Sequence, residues 1–183
     1  MSSSTSLYNQ SVPVLIKYLR NLSALLTKAV QHCEAKGVAQ EDLLAFKLAD
    51  DMKGLAFQVT SCSNGAKFLL HRLGVEAPVF ADDETTFPQL QERIQKTITM
   101  LEGVKPDAFD GRAEAPLLME TRGGNFQFES GQRYVSEYIM PKFYFHVSIA
   151  YAILRSQGVE LGMIDYLKGV LDMVQEDGSL KTL

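Results

Sequence analysis

Apolar residues recur at helical spacing through most of this chain. Val12, Leu15, Ile16, Leu19, Leu22, Leu26, Ala29, Val30 and Cys33 follow one another at such steps, and Lys17, Arg20 and Lys28 occupy the other side. This predicts a long amphipathic helix over 12–33, with Pro13 near its start and Gly37 marking its end. A short helix is expected over 41–46. A second long helix is expected from about Met52 to Leu73, with a stripe of Met52, Leu55, Val59, Cys62, Ala66, Leu69 and Leu73, closed by Gly74. The acidic loop over 76–84 leads into a third. Thr85 or Thr86 caps that helix, Pro88 lies in its first turn, and Phe87, Leu90, Ile94, Ile98 and Leu101 form its apolar face.

The stretch 103–113 is punctuated by turn residues. Residues 115–128 then alternate apolar and polar around a Gly-Gly turn, the pattern of a small β-hairpin. The last long helix is expected over 132–157. Pro141 inside it predicts a kink or a break, and Gly158 ends it. A short amphipathic helix can follow Gly162, and the tail from about 170 to 183 is expected to fray. Four long helices with one hairpin before the fourth make an all-α four-helix bundle, a single domain over 1–183.

Composition narrows the function. At 183 residues and 46% hydrophobic, the chain can bury a core. A net charge of -4 with no Lys/Arg cluster argues against nucleic-acid binding. The opening MSSSTS has neither the basic nor the apolar region of a secretory signal. The longest apolar run, Phe143 to Leu154, falls short of the roughly 18 residues that a membrane span needs. A cytoplasmic protein with no membrane partner is expected. Cys33 and Cys62 then read as two buried free thiols.

Candidate chemistry centres on one histidine. His32 and His71 sit near helix C-termini, where a histidine is commonly a dipole partner or a solvated side chain. His146 lies mid-helix on the stripe of Ile139, Phe143, Ala150 and Ile153. A buried imidazole needs a partner for each ring nitrogen, so His146 is either a satisfied core residue or a metal ligand or general base. On the second long helix, Asp51, Leu55, Gln58 and Cys62 are spaced to share a face. Gln58 on an apolar stripe would cost about 1 to 3 kcal/mol if buried unpaired, and His146 is its candidate partner across the bundle. Asp50 and Asp51 could instead cap that helix. GxSxG, P-loop, HExxH, dinucleotide and diiron motifs are all absent.

The run YIMPKFYFHVSIAYAILRSQGVELGMIDYL resembles the signature of a DinB/YfiT-like family known only as a domain of unknown function, family nineteen-ninety-three. SLYNQSVPVLIKYLRNLSALLTKA, LADDMKGLAFQV, DDETTFPQLQERI and the hairpin resemble it too, in order, over nearly the whole chain. The resemblance implies a DinB-like bundle, commonly a homodimer. In the wider superfamily many members hold a divalent metal with three histidines, one on helix two and two on helix four at HxxxH spacing. Some of these are thiol-dependent transferases. Carried over, His146 matches the last metal ligand, Lys142 stands where the preceding histidine would be, and the helix-two ligand falls on or near Gln58. A lysine there opposes a second cation, and a glutamine suits hard ions rather than zinc or nickel.

No cofactor is therefore expected. The site is expected to survive as a polar spot lined by His146, Gln58, Asp51 and either Tyr138 or Tyr144. The leading expectation is a small-molecule-binding protein or enzyme with a degenerate metal site, using His146, Gln58 and Asp51. The alternatives are a non-catalytic structural homodimer, or a metal-dependent hydrolase or transferase whose site other ligands complete.

Overall fold

The computed structural model describes residues 6–182, so MSSST and Leu183 lie outside the described residues. The first helix runs over Leu7–Lys36 (α1), five residues longer at its start than the apolar pattern predicts. Ser6 explains the early start: its hydroxyl accepts from the Asn9 amide, and Leu7 is already buried. Pro13 accordingly lies inside the helix rather than in its first turn. Gly37 takes the left-handed conformation that ends it.

Gln40–Ala45 (α2) is short, and a tight connection leads to Leu55–Arg72 (α3). The second long helix thus begins three residues later than Met52. Its N-cap is Gly54, which packs against the last carbonyls of α2. A Cβ there would lie 2.9 Å from the Leu44 oxygen and 3.2 Å from that of Ala45. This close approach fixes where the helix starts, and neither Asp50 nor Asp51 caps it. Phe87–Glu102 (α4) has Thr86 at its N-cap in a reciprocal capping box with Gln89, and Pro88 in its first turn, as expected.

The hairpin forms from Leu117–Thr121 (β1) and Gly124–Phe128 (β2), antiparallel, with Thr121 opposite Gly124 and a turn at Arg122–Gly123. Leu117 and Met119 point to the core. The last long helix is continuous over 131–156 in three parts: Gly131–Arg133 (α5), a π-helical segment Tyr134–Ile139, and Met140–Ser156 (α6). Pro141 therefore neither ends nor breaks it. Proline has no N–H for the carbonyl four residues back and its ring crowds that carbonyl. The widened turn before it relieves both, and Met140 N–H bonds to Val135, five residues back.

Around the bundle, α1 packs on α4, α4 on α3, α3 on α6 and α6 on α1, which places α1 and α3 diagonally. The four helical stripes meet in one core. Cys33 and Cys62 lie in it as buried free thiols, and burial raises both pKa values. No helix among the described residues is long and apolar enough to cross a membrane.

The short helix expected after Gly162 forms, and only the segment beyond it differs from expectation. Met163–Leu167 (α7) is held on α1 by the Asn21 amide, which donates to the Tyr166 and Lys168 carbonyls at 2.8 and 2.9 Å, and by Lys28 on Asp165 at 2.6 Å. Beyond it, Asp172–Val174 (β3) and Leu180–Thr182 (β4) pair as an exposed antiparallel hairpin instead of fraying. The turn at Asp177–Gly178 supports it: Asp177 accepts from the Ser179 amide and hydroxyl, and Gly178 is left-handed.

Candidate functional site

Helices α3 and α6 bring Gln58 and His146 together. His146 Nδ1 lies 2.8 Å from Gln58 Oε1. The other end of the glutamine amide is fixed first: Nε2 donates to the Lys53 carbonyl at 2.9 Å, in the turn before α3. The amide oxygen therefore faces the ring, and Nδ1 carries the proton that it accepts. The start of α3 thus orients the imidazole through Gln58.

His146 is 8% exposed. Burial, and then the charge of Lys142 one turn earlier, push its pKa down to about 4, so the ring is neutral near pH 7. Nε2 has no hydrogen-bond partner among the described residues and is not fully covered, within a side chain that is itself buried. Two rings flank it edge-on, Phe145 at 5.3 Å and Phe57 at 6.0 Å between centroids. Below the pair, the buried Cys62 thiol points to the Phe143 carbonyl.

Other expected members sit elsewhere. Asp51 lies in the exposed turn before α3, because Gly54 delays the helix, and it has no hydrogen bond or ion pair to His146. Tyr144 turns toward α1, edge-on to Tyr18 at 5.1 Å. Tyr138 packs against Phe128 of the hairpin at 5.6 Å between centroids, with the Lys142 ammonium 5.8 Å from its ring centroid. His71 is exposed, and His32 packs against Gly158 at the far end of α1.

These residues do not fit the superfamily's metal. Gln58 Oε1 is engaged by the Nδ1 proton, Lys142 brings positive charge, and Asp51 is out of the helix. Among the described residues no group of three His, Cys, Asp or Glu side chains could hold an ion. A single imidazole nitrogen is not a transition-metal site.

A family model described as a domain of unknown function (DUF1993) matches residues 7–167. The chain belongs to this family. Among solved structures it is similar to a DinB family member protein from Shewanella denitrificans, at 36% identity, TM-score 0.80, over 88% of this chain and 91% of that one. No protein of curated description matches it. Membership in DUF1993 and this likeness establish the DinB-like all-α bundle that the signature run over 138–167 implies. The family match stops before the exposed C-terminal hairpin.

A second buried polar cluster was not legible from the sequence. Arg93 of α4 is 2% exposed. Its Nε donates to Ser63, one terminal nitrogen to the Ala81 carbonyl and Glu84, and the other to Asn64 and Asp82. Ser63 in turn meets Thr97 at 2.7 Å. The acidic loop before α4 thus serves this arginine. The available signal was position: Arg93 shares the inward face of Leu90 and Thr97.

Proposed function

We propose that this chain binds a small molecule at His146 without a metal, with Gln58 as the residue that sets the imidazole's orientation and tautomer. One observation carries the reading: Nδ1 is committed to Gln58 at 2.8 Å while Nε2 has no partner among the described residues and is not fully covered. A histidine kept only for packing needs no unpaired nitrogen. Here that nitrogen is an acceptor for a ligand's N–H or O–H, and the atom through which a proton would pass if the bound molecule reacts.

The test is a ligand-observed NMR screen of polar fragments against the protein and against folded His146→Ala. Binders lost in the variant support the reading. If all binders of the parent protein bind His146→Ala equally well, it is wrong. Elemental analysis of tag-free protein complements this. A stoichiometric divalent metal that disappears in His146→Ala would overturn the metal-independent part.

A non-catalytic homodimer is the second reading. It draws on Phe57 and Phe145, 47% and 55% exposed beside the site, which a second copy could cover. Sedimentation equilibrium tests it. A dimer that becomes monomeric in Phe57→Ser/Phe145→Ser supports it, and a monomeric parent protein removes it.

A further inference from the structure

Four features converge at the mouth of the His146 site. Nε2 is an acceptor without a donor. Lys142, half-buried one helical turn earlier, makes no ion pair among the described residues; its ammonium lies near the Tyr138 ring only. Phe57 on α3 and Phe145 on α6 are exposed and each stands edge-on to the imidazole. In a chain of net charge -4, a half-buried cation with no counter-ion among the described residues, one turn from an unpartnered imidazole nitrogen, favours an anion from outside. The buried arginine offers the contrast, since it draws two carboxylates from its own chain.

We infer that the ligand class is a planar aromatic carboxylate that also carries a ring N–H or O–H. The carboxylate pairs with Lys142, the donor meets His146 Nε2, and the ring lies between Phe57 and Phe145. This deepens the reading of His146 as a binding site and rests on it.

Three matched probes separate the parts: indole-3-acetate, naphthalene-1-acetate, which lacks the N–H, and indole-3-ethanol, which lacks the charge. The chain contains no tryptophan, so the anisotropy of indole or naphthalene fluorescence reports the probe directly. Indole-3-acetate is expected to bind tightest. Its Kd should rise roughly tenfold in Lys142→Gln and by a similar factor in His146→Ala, while naphthalene-1-acetate should bind roughly fivefold more weakly. Phe57→Ser, at an exposed position, should weaken all three probes and guards against misreading an unfolded His146 variant.

If indole-3-ethanol binds as well as indole-3-acetate and both are lost in His146→Ala, the ligand class is wrong and the site stands. If all three probes bind His146→Ala and Phe57→Ser as they bind the parent protein, they bind elsewhere and the ligand class is wrong, while the fragment screen still decides the site. Failure of all three probes to bind at millimolar concentration overturns the ligand class alone, since the fragment screen then decides the site independently.

Discussion

Two buried polar centres sit in one bundle and are built in opposite ways. Around Arg93 all five N–H donors are taken, by Ser63, Ala81, Glu84, Asn64 and Asp82. Around His146 one ring nitrogen is taken and the other is left open. The arginine ties the loop before α4 to α3 and α4, and Phe80 lies over its guanidinium at 4.9 Å. Nothing more can bind to its donors. The histidine is held by the Gln58 side chain, itself anchored on the Lys53 carbonyl before α3, and still has one nitrogen to offer. The arginine's own donors are saturated and read as architecture, although its partner Glu84 keeps Oε2 buried without a hydrogen bond, whereas at His146 the unpartnered nitrogen is not fully covered and can meet a ligand.

The contrast can be broken by mutation. The largest effect is expected at Arg93. Arg93→Met leaves Asp82 and the nearly covered Glu84 without their cation, and should cost about 3 to 5 kcal/mol in urea unfolding. A loss below about 1 kcal/mol would mean that the loop relaxes and the arginine is not structural.

At His146 the expected effect depends on pH. Its folded pKa lies near 4, below the ordinary 6.5. The unfolded chain therefore takes up a proton first as pH falls. The stability that the neutral ring contributes is complete above about pH 6.5 and is lost progressively down to about pH 4. The loss should be roughly 2 kcal/mol, reduced from the full shift because one ring edge touches water. His146→Asn, whose amide N–H can replace Nδ1–H, should lack this component when the two pH profiles are subtracted. Parallel profiles would show that the ring is not held neutral.

Smaller effects should follow at the partners. Gln58→Met strips the ring of its acceptor and should destabilise by about 1 to 2 kcal/mol. NMR of the ring nitrogens should then show a mixture of tautomers in place of the Nδ1–H form. Lys142→Gln should change stability by less than about 0.5 kcal/mol. It should also raise the His146 pKa, because one of the two causes of its depression is removed. If Lys142→Gln leaves that pKa in place, burial alone sets it.

How much of this was legible follows from where each residue's partners lie in the chain. The bundle was legible because its stripes are periodic, and all of the stripe residues except the partly buried Ile16, Val30 and Met52 lie in the core. The Gln58–His146 pair was legible because each is a lone polar residue on an apolar face, and lone buried polar groups must meet. Asp51 failed because the start of α3 is fixed by Gly54 against the carbonyls of α2, a contact that periodicity does not contain. Arg93 was invisible for a related reason: its five partners come from α3 and from the loop before α4. The C-terminal hairpin escaped because its residues are all exposed, so no buried stripe announces it.

The widened turn at Tyr134–Ile139 carries one more consequence. An α-helix advances about 100° per residue, so one additional residue in a turn rotates everything before it relative to everything after. Tyr134 and Tyr138, against Phe128 of the hairpin, and His146, against Gln58, each keep their own facing only because of that local change of pitch. Removing a single residue from this segment would leave the composition and the apolar count nearly unchanged, yet would swing the tyrosine end away from the hairpin. The fold is thus more tolerant of substitution here than of a change in length.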